Sequence, residues 1–252
     1  MKKAIYAGTA LFFVIISTTA HAQFSKGNKF VEASLGSIRF SSNDSKTEYG
    51  TSTSKSDGRS FSFDLYPAVG FFIADNLAVG GEVDIYFGSN KNNTYNSSGI
   101  KTNESKTNSV NLGVGPFVRY YFAGDNKSKF YGQAGGFFSS DVSYNSESRL
   151  YSGSGVYQGV SKTEYNKKPV NISANIRVGW NRMLTETIAL NASLGYQFSR
   201  STYTYSYRSI PAIGPETVSP QYKYTGTSNN VLWNLGFTMF LPSGGKHPVK
   251  KK

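Results

Sequence analysis

Between residues 170 and 180 apolar side chains occupy every second position. Val170, Ile172, Ala174, Ile176, Val178 and Trp180 form one row, and Asn171, Ser173, Asn175, Arg177 and Gly179 form the other. Successive side chains of an extended chain point to opposite faces, so the two rows separate; a helix of 3.6 residues per turn would mix them. The same division recurs over residues 188–198, 77–87 and 110–122. In the last of these Val110, Leu112, Val114, Pro116, Val118, Tyr120 and Phe122 oppose Asn111, Gly113, Gly115, Phe117, Arg119 and Tyr121. Four further stretches, residues 30–40, 61–73, 130–138 and 231–241, complete a set of eight predicted strands; the last sets Val231, Trp233, Leu235, Phe237 and Met239 in one row.

The connections between these strands alternate in length. Residues 41–60, 88–109, 139–169 and 199–230 are long, whereas 74–76, 123–129 and 183–187 are short. Eight antiparallel strands joined in that way place both chain ends on the short-turn side. Pro67 and Pro116 fall inside predicted strands, where a residue without an N–H interrupts the ladder, so each predicts a bulge or a strand end.

Either row could face the interior, and the start of the chain chooses between them. Lys2 and Lys3 precede an apolar run over residues 4–17 and the small-residue pattern Ala20-His21-Ala22. This predicts an export signal over residues 1–22, cleaved after Ala22. The run is shorter than the ~20 residues a spanning helix needs. No later stretch is apolar enough to cross as a helix, and the mean hydropathy is -0.38. A barrel strand shows lipid only at alternate residues, so a low average is compatible with a membrane-embedded sheet. Charged residues are 17%, below the ~25% of ordinary domains, while Tyr and Phe number 18 each, a mixture that favours strands. With no cysteine, rigidity must come from closure of the sheet. The predicted fold is therefore all-β: an eight-stranded antiparallel up-and-down transmembrane barrel over residues 23–241, with short periplasmic turns and long extracellular loops. A soluble barrel would turn the apolar rows inward and leave Glu82 and Arg177 outside. With the apolar rows outward, Phe122, Phe130 and Trp180 form one interfacial girdle, and Phe61, Phe87, Phe138, Phe198 and Trp233 the other.

The stretch Gly113-Val114-Gly115-Pro116-Phe117-Val118-Arg119-Tyr120-Tyr121-Phe122, with the strands around Gly179-Trp180-Asn181 and Gly195-Tyr196, resembles the outer-membrane β-barrel domain family of OmpA/OmpX-type small barrels. The resemblance covers nearly the whole chain after the signal. It implies location in the outer membrane of a Gram-negative bacterium, with outer-membrane lipid, lipopolysaccharide and the barrel-assembly machinery as partners. Relatives include adhesion and serum-resistance proteins and barrels with no assigned activity. Barrels of this family commonly end at an aromatic residue, whereas Phe240 is followed by Leu241 and a basic segment, residues 242–252, expected to be a periplasmic tail.

Catalysis is disfavoured from the sequence. Outer-membrane barrels of the protease, deacylase, phospholipase and palmitoyl-transfer types resemble one another in relying on a histidine, and only His21 in the signal and His247 in the tail are present here. Asp141, Glu147 and Glu164 share a loop and are expected to be solvated. No cofactor or metal site is predicted. The predicted lumen holds Glu32, Asp64, Glu82 and Asp84 on early strands and Arg119 and Arg177 on later ones. An eight-stranded interior is just wide enough for side chains to fill, so these six are expected to pair as a polar plug. Beyond the membrane, Tyr203, Tyr205 and Tyr207 alternate with Thr and Ser, and Tyr222 and Tyr224 follow a proline-containing tip. These five predict an aromatic ladder on a projecting hairpin. It would supply contact area and a sheet edge for a host or surface ligand, or simply hold the hairpin together. The formal net charge is +12, but the basic residues of the loops are interspersed, and no basic helix or aromatic-basic platform suggests nucleic acid. The functional expectation is a non-enzymatic surface protein displaying loops for adhesion, protection or envelope integrity. The alternative is a narrow channel for small solutes.

Overall fold

The computed structural model describes residues 23–49, 52–125 and 127–242. The expected export signal, residues 1–22, and residues 243–252 of the basic tail lie outside the described residues. The strands are β1 (Lys29–Tyr49), β2 (Ser52–Ala74), β3 (Leu77–Tyr95), β4 (Lys101–Gly124), β5 (Ser128–Tyr151), β6 (Tyr157–Met183), β7 (Ile188–Pro211), the two-residue β8 (Thr217–Val218) and β9 (Tyr222–Leu241). Consecutive long strands pair antiparallel, β7 pairs with β9, and β9 pairs with β1. Eight long strands therefore close into an up-and-down barrel, with β8 appended to β7.

All eight predicted strands are present, and the alternation has the expected sense. Val114, Val118, Ile172, Ile176, Val178, Leu194, Val231 and Phe237 are exposed on the outer surface, while Arg119, Asn175, Arg177 and Asn234 between them are buried. An apolar outer surface of this extent suits hydrocarbon, where a closed ladder satisfies the backbone. At the turn after β2, Asn76 takes a left-handed φ of 63°, which asparagine tolerates better than branched residues. Its N–H donates to the Phe24 carbonyl at 2.7 Å and its carbonyl accepts from Tyr121 at 2.8 Å, tying the chain start to two turns.

The long connections are a different matter. Residues expected to be irregular loops are largely continued strand: beyond Phe87↔Val110 the β3–β4 ladder runs on to Thr94↔Asn103. The eight long strands are 19 to 27 residues long where membrane crossing needs ~10. Above the apolar belt both faces meet water, so period-two contrast disappears from the sequence although pairing continues. The prolines also differ from expectation. Register shifts fall elsewhere, for example between Leu35 and Ile38, whereas at Pro67 and Pro116 one ladder lapses and resumes in the same register. The missing donor costs a local bond without adding a residue.

Two further features shape the interior. Among the described residues β1 and β9 pair only from Lys29↔Leu241 to Leu35↔Leu235, so the outer stretch of β9 has one edge with no ladder to β1. At Gly115 a Cβ would stand 2.6 Å from the Gly136 carbonyl carbon and 2.9 Å from Phe137 Cα, so only glycine permits that approach of β4 to β5.

Candidate functional site

The lumen is filled in layers, and the layer at the turn end is aromatic. Phe30, Phe72, Phe117, Tyr121, Tyr131 and Phe240 point inward with exposures of 3% or less, and Phe24, ahead of β1, caps them. Ring centroids of Phe24 lie 4.7 Å from Tyr121 and 5.0 Å from Phe240. Alternation alone puts Phe117 and Tyr121 on the inner row but does not mark this floor.

Directly on the floor sits an ion pair. Arg119 of β4 reaches Glu32 of β1 through two hydrogen bonds, Nη1 to Oε2 at 2.7 Å and Nη2 to Oε1 at 3.1 Å, with 1% and 4% of the two side chains exposed. Its Nε donates to Gln133 Oε1 at 2.8 Å, and its guanidinium carbon lies 4.3 Å from the Tyr131 ring centroid and 5.0 Å from that of Phe30. Glu32 Oε2 also accepts from Thr238 at 2.8 Å and Asn191 at 2.9 Å. Asn191 in turn donates to Asn181 at 2.9 Å, and Asn181 to the Tyr121 hydroxyl at 3.3 Å. A desolvated pair of this kind stands only because the remaining lone pairs and protons find partners.

The second pair is looser. Arg177 Nη1 donates to Glu82 Oε1 at 2.7 Å and, with the Asn234 amide oriented to suit its neighbours, to Asn234 at 3.1 Å. Gln133 links the pairs weakly, 3.4 Å from Glu82. Arg177 Nε and Nη2 have no protein partner. Thus Glu32, Glu82, Arg119 and Arg177 come together across the lumen.

Asp64 and Asp84, expected in the same plug, do not join it. Asp64 accepts from Ser37 at 2.7 Å, and both aspartates line an outward-facing vestibule of about 320 Å³ together with Arg39, Asp141, Asn230 and Leu232. The reason is position along the strand: each lies two or more residues nearer the loop end than Glu82, out of reach of the two arginines' hydrogen bonds, and one Asp84 oxygen is buried there without a protein partner.

Above the vestibule the tyrosines of β7 and β9 lie against one another. Tyr203 stacks on Tyr224 at 4.8 Å and Tyr205 on Tyr222 at 5.5 Å, with Tyr207 5.4 Å from Tyr205. The ladder extends further than the sequence suggests, because Tyr165 of β6 lies 5.3 Å from Tyr203 and Tyr144 of β5 lies 4.6 Å from Tyr165. Tyr203 keeps the parity of Gln197, and Tyr224 that of Asn230, so the ladder faces the lumen side. Burial, helped by the charge of Asp141, pushes the Tyr165 phenol above its ordinary range. Among the described residues the open edges are on the outer stretches of β9 and β1 and not on the Tyr203 to Tyr205 stretch of β7, which pairs on both sides. Among the described residues no group of His, Cys, Asp or Glu has the arrangement of a metal site.

A closed antiparallel barrel with an apolar exterior and an ion-paired interior defines the class: a transmembrane β-barrel. No family model matches the chain, and no curated protein matches it. Solved structures similar to it include the outer membrane protein OprG from Pseudomonas aeruginosa, at 14% identity and a TM-score of 0.47, covering 88% of this chain and 99% of that one. Neisserial surface protein A is similar at 15% identity and a TM-score of 0.34, covering 84% and 96%. The outer membrane protease OmpT from Escherichia coli is similar at 12% identity and a TM-score of 0.44, covering 90% and 99%. At such identities no residue role passes from those proteins to this one.

Proposed function

We propose that this chain is a non-enzymatic outer-membrane barrel without a steady pore. It acts as a rigid anchor presenting a tall projecting sheet to the exterior for adhesion, protection or envelope integrity. The observation that carries the reading is the stacking of the Glu32–Arg119 pair on the aromatic floor. In an eight-stranded interior, side chains suffice to fill the cross-section. Moving an ion past that point means breaking buried charge-assisted hydrogen bonds, which costs several kcal/mol. Tyrosine-rich walls offer rigid amphipathic contact area at small entropic cost, which suits recognition of a surface ligand.

A narrow channel has one feature in its favour, the vestibule that ends near Glu82 and Arg177. Planar-bilayer conductance separates the two readings. The anchor predicts a quiet membrane with sporadic openings at most; steady open channels in the unmodified protein would refute it.

A further inference from the structure

The outer face of the barrel carries an unusual row of charge. Arg59 of β2 stands directly opposite Lys91 of β3, and Lys91 directly opposite Lys106 of β4. All three project outward and are exposed. Neighbouring strands are about 4.8 Å apart, so the three Cα atoms fall within about 10 Å. Like charges in direct cross-strand opposition destabilise a sheet. The local acids do not cancel the row: Glu104 is shared between Lys91 and Lys101 at 3.0 Å each, and Glu147, opposite Lys106, is held by Arg149 at 2.7 Å. Arg59 and Lys106 have no ion pair among the described residues. One pleat farther out Asp44 faces Asp57, which bounds the cationic zone on that side.

Beneath the row, on the membrane side, lies an aromatic stripe. Phe40 and Phe61 approach to 4.8 Å, Phe61 and Phe63 to 5.7 Å, and Phe63 stacks on Phe87 at 4.8 Å. Phe40 is 79% exposed, far more than a ring in water would favour. Arg59 and Lys91 share one surface groove of about 540 Å³ with Phe40 and Phe61. Cations above, rings below and a groove joining them at the edge of the apolar belt match one kind of occupant.

We propose that this face of β1 to β4 binds a phosphorylated lipid of the outer leaflet, its phosphate monoester on Arg59, Lys91 and Lys106 and its acyl chains against Phe40, Phe61 and Phe63. A phosphate dianion relieves the repulsion within the row, and the rings receive chains that solvent would leave uncovered. The proposal rests on the reading of the chain as a membrane barrel, with the cationic row at the outer interface.

The test uses the purified protein in phosphatidylcholine nanodiscs, titrated with diphosphorylated lipid A and with the same lipid after enzymatic removal of its phosphates. The unmodified protein is expected to retain the phosphorylated lipid at least tenfold more tightly than the dephosphorylated one. The triple variant R59Q/K91Q/K106Q is expected to lose that preference, while K162Q/K223Q, which removes two cations elsewhere on the outer face, keeps it. Heat-modifiable gel migration of the triple variant reports whether the barrel still closes, and in zwitterionic lipid it should be at least as heat-stable as the parent, since repulsion has been removed. A closed triple variant that keeps the tenfold preference overturns the site and leaves the barrel reading untouched. Equal loss in K162Q/K223Q, or displacement of the lipid by inorganic phosphate alone, overturns it as well.

Discussion

Replacing Arg119 with methionine removes the most heavily bonded charge of the lumen while roughly keeping its volume. The substitution deletes two hydrogen bonds to Glu32 and one to Gln133, and leaves the Glu32 carboxylate with Thr238 and Asn191 as its nearest donors. Breaking one side of a buried pair typically costs about 3–5 kcal/mol. Contact of the methionine with the Phe30, Phe117 and Tyr131 rings returns part of that, so a net loss of about 3 kcal/mol is expected. Arg177→Met should cost about 1–2 kcal/mol less, because Arg177 donates only to Glu82 and Asn234 and already has two nitrogens without a protein partner. Urea unfolding in vesicles, followed by the fluorescence of Trp180 and Trp233, measures both. Glu32→Met combined with Arg119→Met should recover most of the loss, because no orphaned charge then remains. A cost below about 1 kcal/mol for Arg119→Met, or a double variant as unstable as the single, would refute the view that the pair holds the lumen layer together.

Two further outcomes are expected outside the membrane. Hydrogen bonds from Lys101 and Lys91 hold the Glu104 carboxyl down to about 2, from an ordinary 4.5. A depressed folded-state pKa contributes stability that is present above about pH 4.5 and is lost as pH falls through about 2; carboxyl NMR shifts should show the low midpoint, and Lys101→Gln should raise it. Because the group lies at the surface, partly open to solvent, the effect on overall stability is small and fades in salt. Tyr203→Ala removes the ring that joins Tyr165 to Tyr224 and should speed tryptic cleavage at Arg208 and Lys223 while heat-modifiable migration of the barrel is unchanged. Loss of that migration would mean the ladder supports the barrel itself.

The membrane half of the fold is legible because two solvents act on its two faces. Val178 must meet lipid and Arg177 must not, and the sequence alternates accordingly. Where a strand is apolar on both faces the pattern blurs: Phe71 points outward and Phe72 inward, Met239 outward and Phe240 inward, so the aromatic floor does not stand out from the girdles. Above the lipid the contrast vanishes, which hides the paired strand within residues 88–109 and isolates Tyr144 and Tyr165 among polar and charged residues. The six lumen charges are visible as residue types on inner rows. Which of them meet depends on tilt and depth across the barrel, since Glu32 and Arg119 lie on strands that are not neighbours.

Depth also explains why the interior is graded. At the floor, where water is excluded by six rings, Arg119 and Glu32 have several protein partners each. One layer outward, Arg177 makes do with two. In the vestibule Asp64 accepts from one serine and one Asp84 oxygen has no protein partner. The number of protein hydrogen bonds to each charge falls toward the loop end, and Arg177 Nε and Nη2 and one Asp84 oxygen stay buried without a protein partner, so the outer layers are less completely bonded than the floor. Rigidity is therefore concentrated at the turn end, where the aromatic floor and the first ion pair fix strand register. The outer sheet, held by cross-strand tyrosines and exposed ion pairs of small individual worth, can change its surface residues without disturbing the closed lumen beneath it.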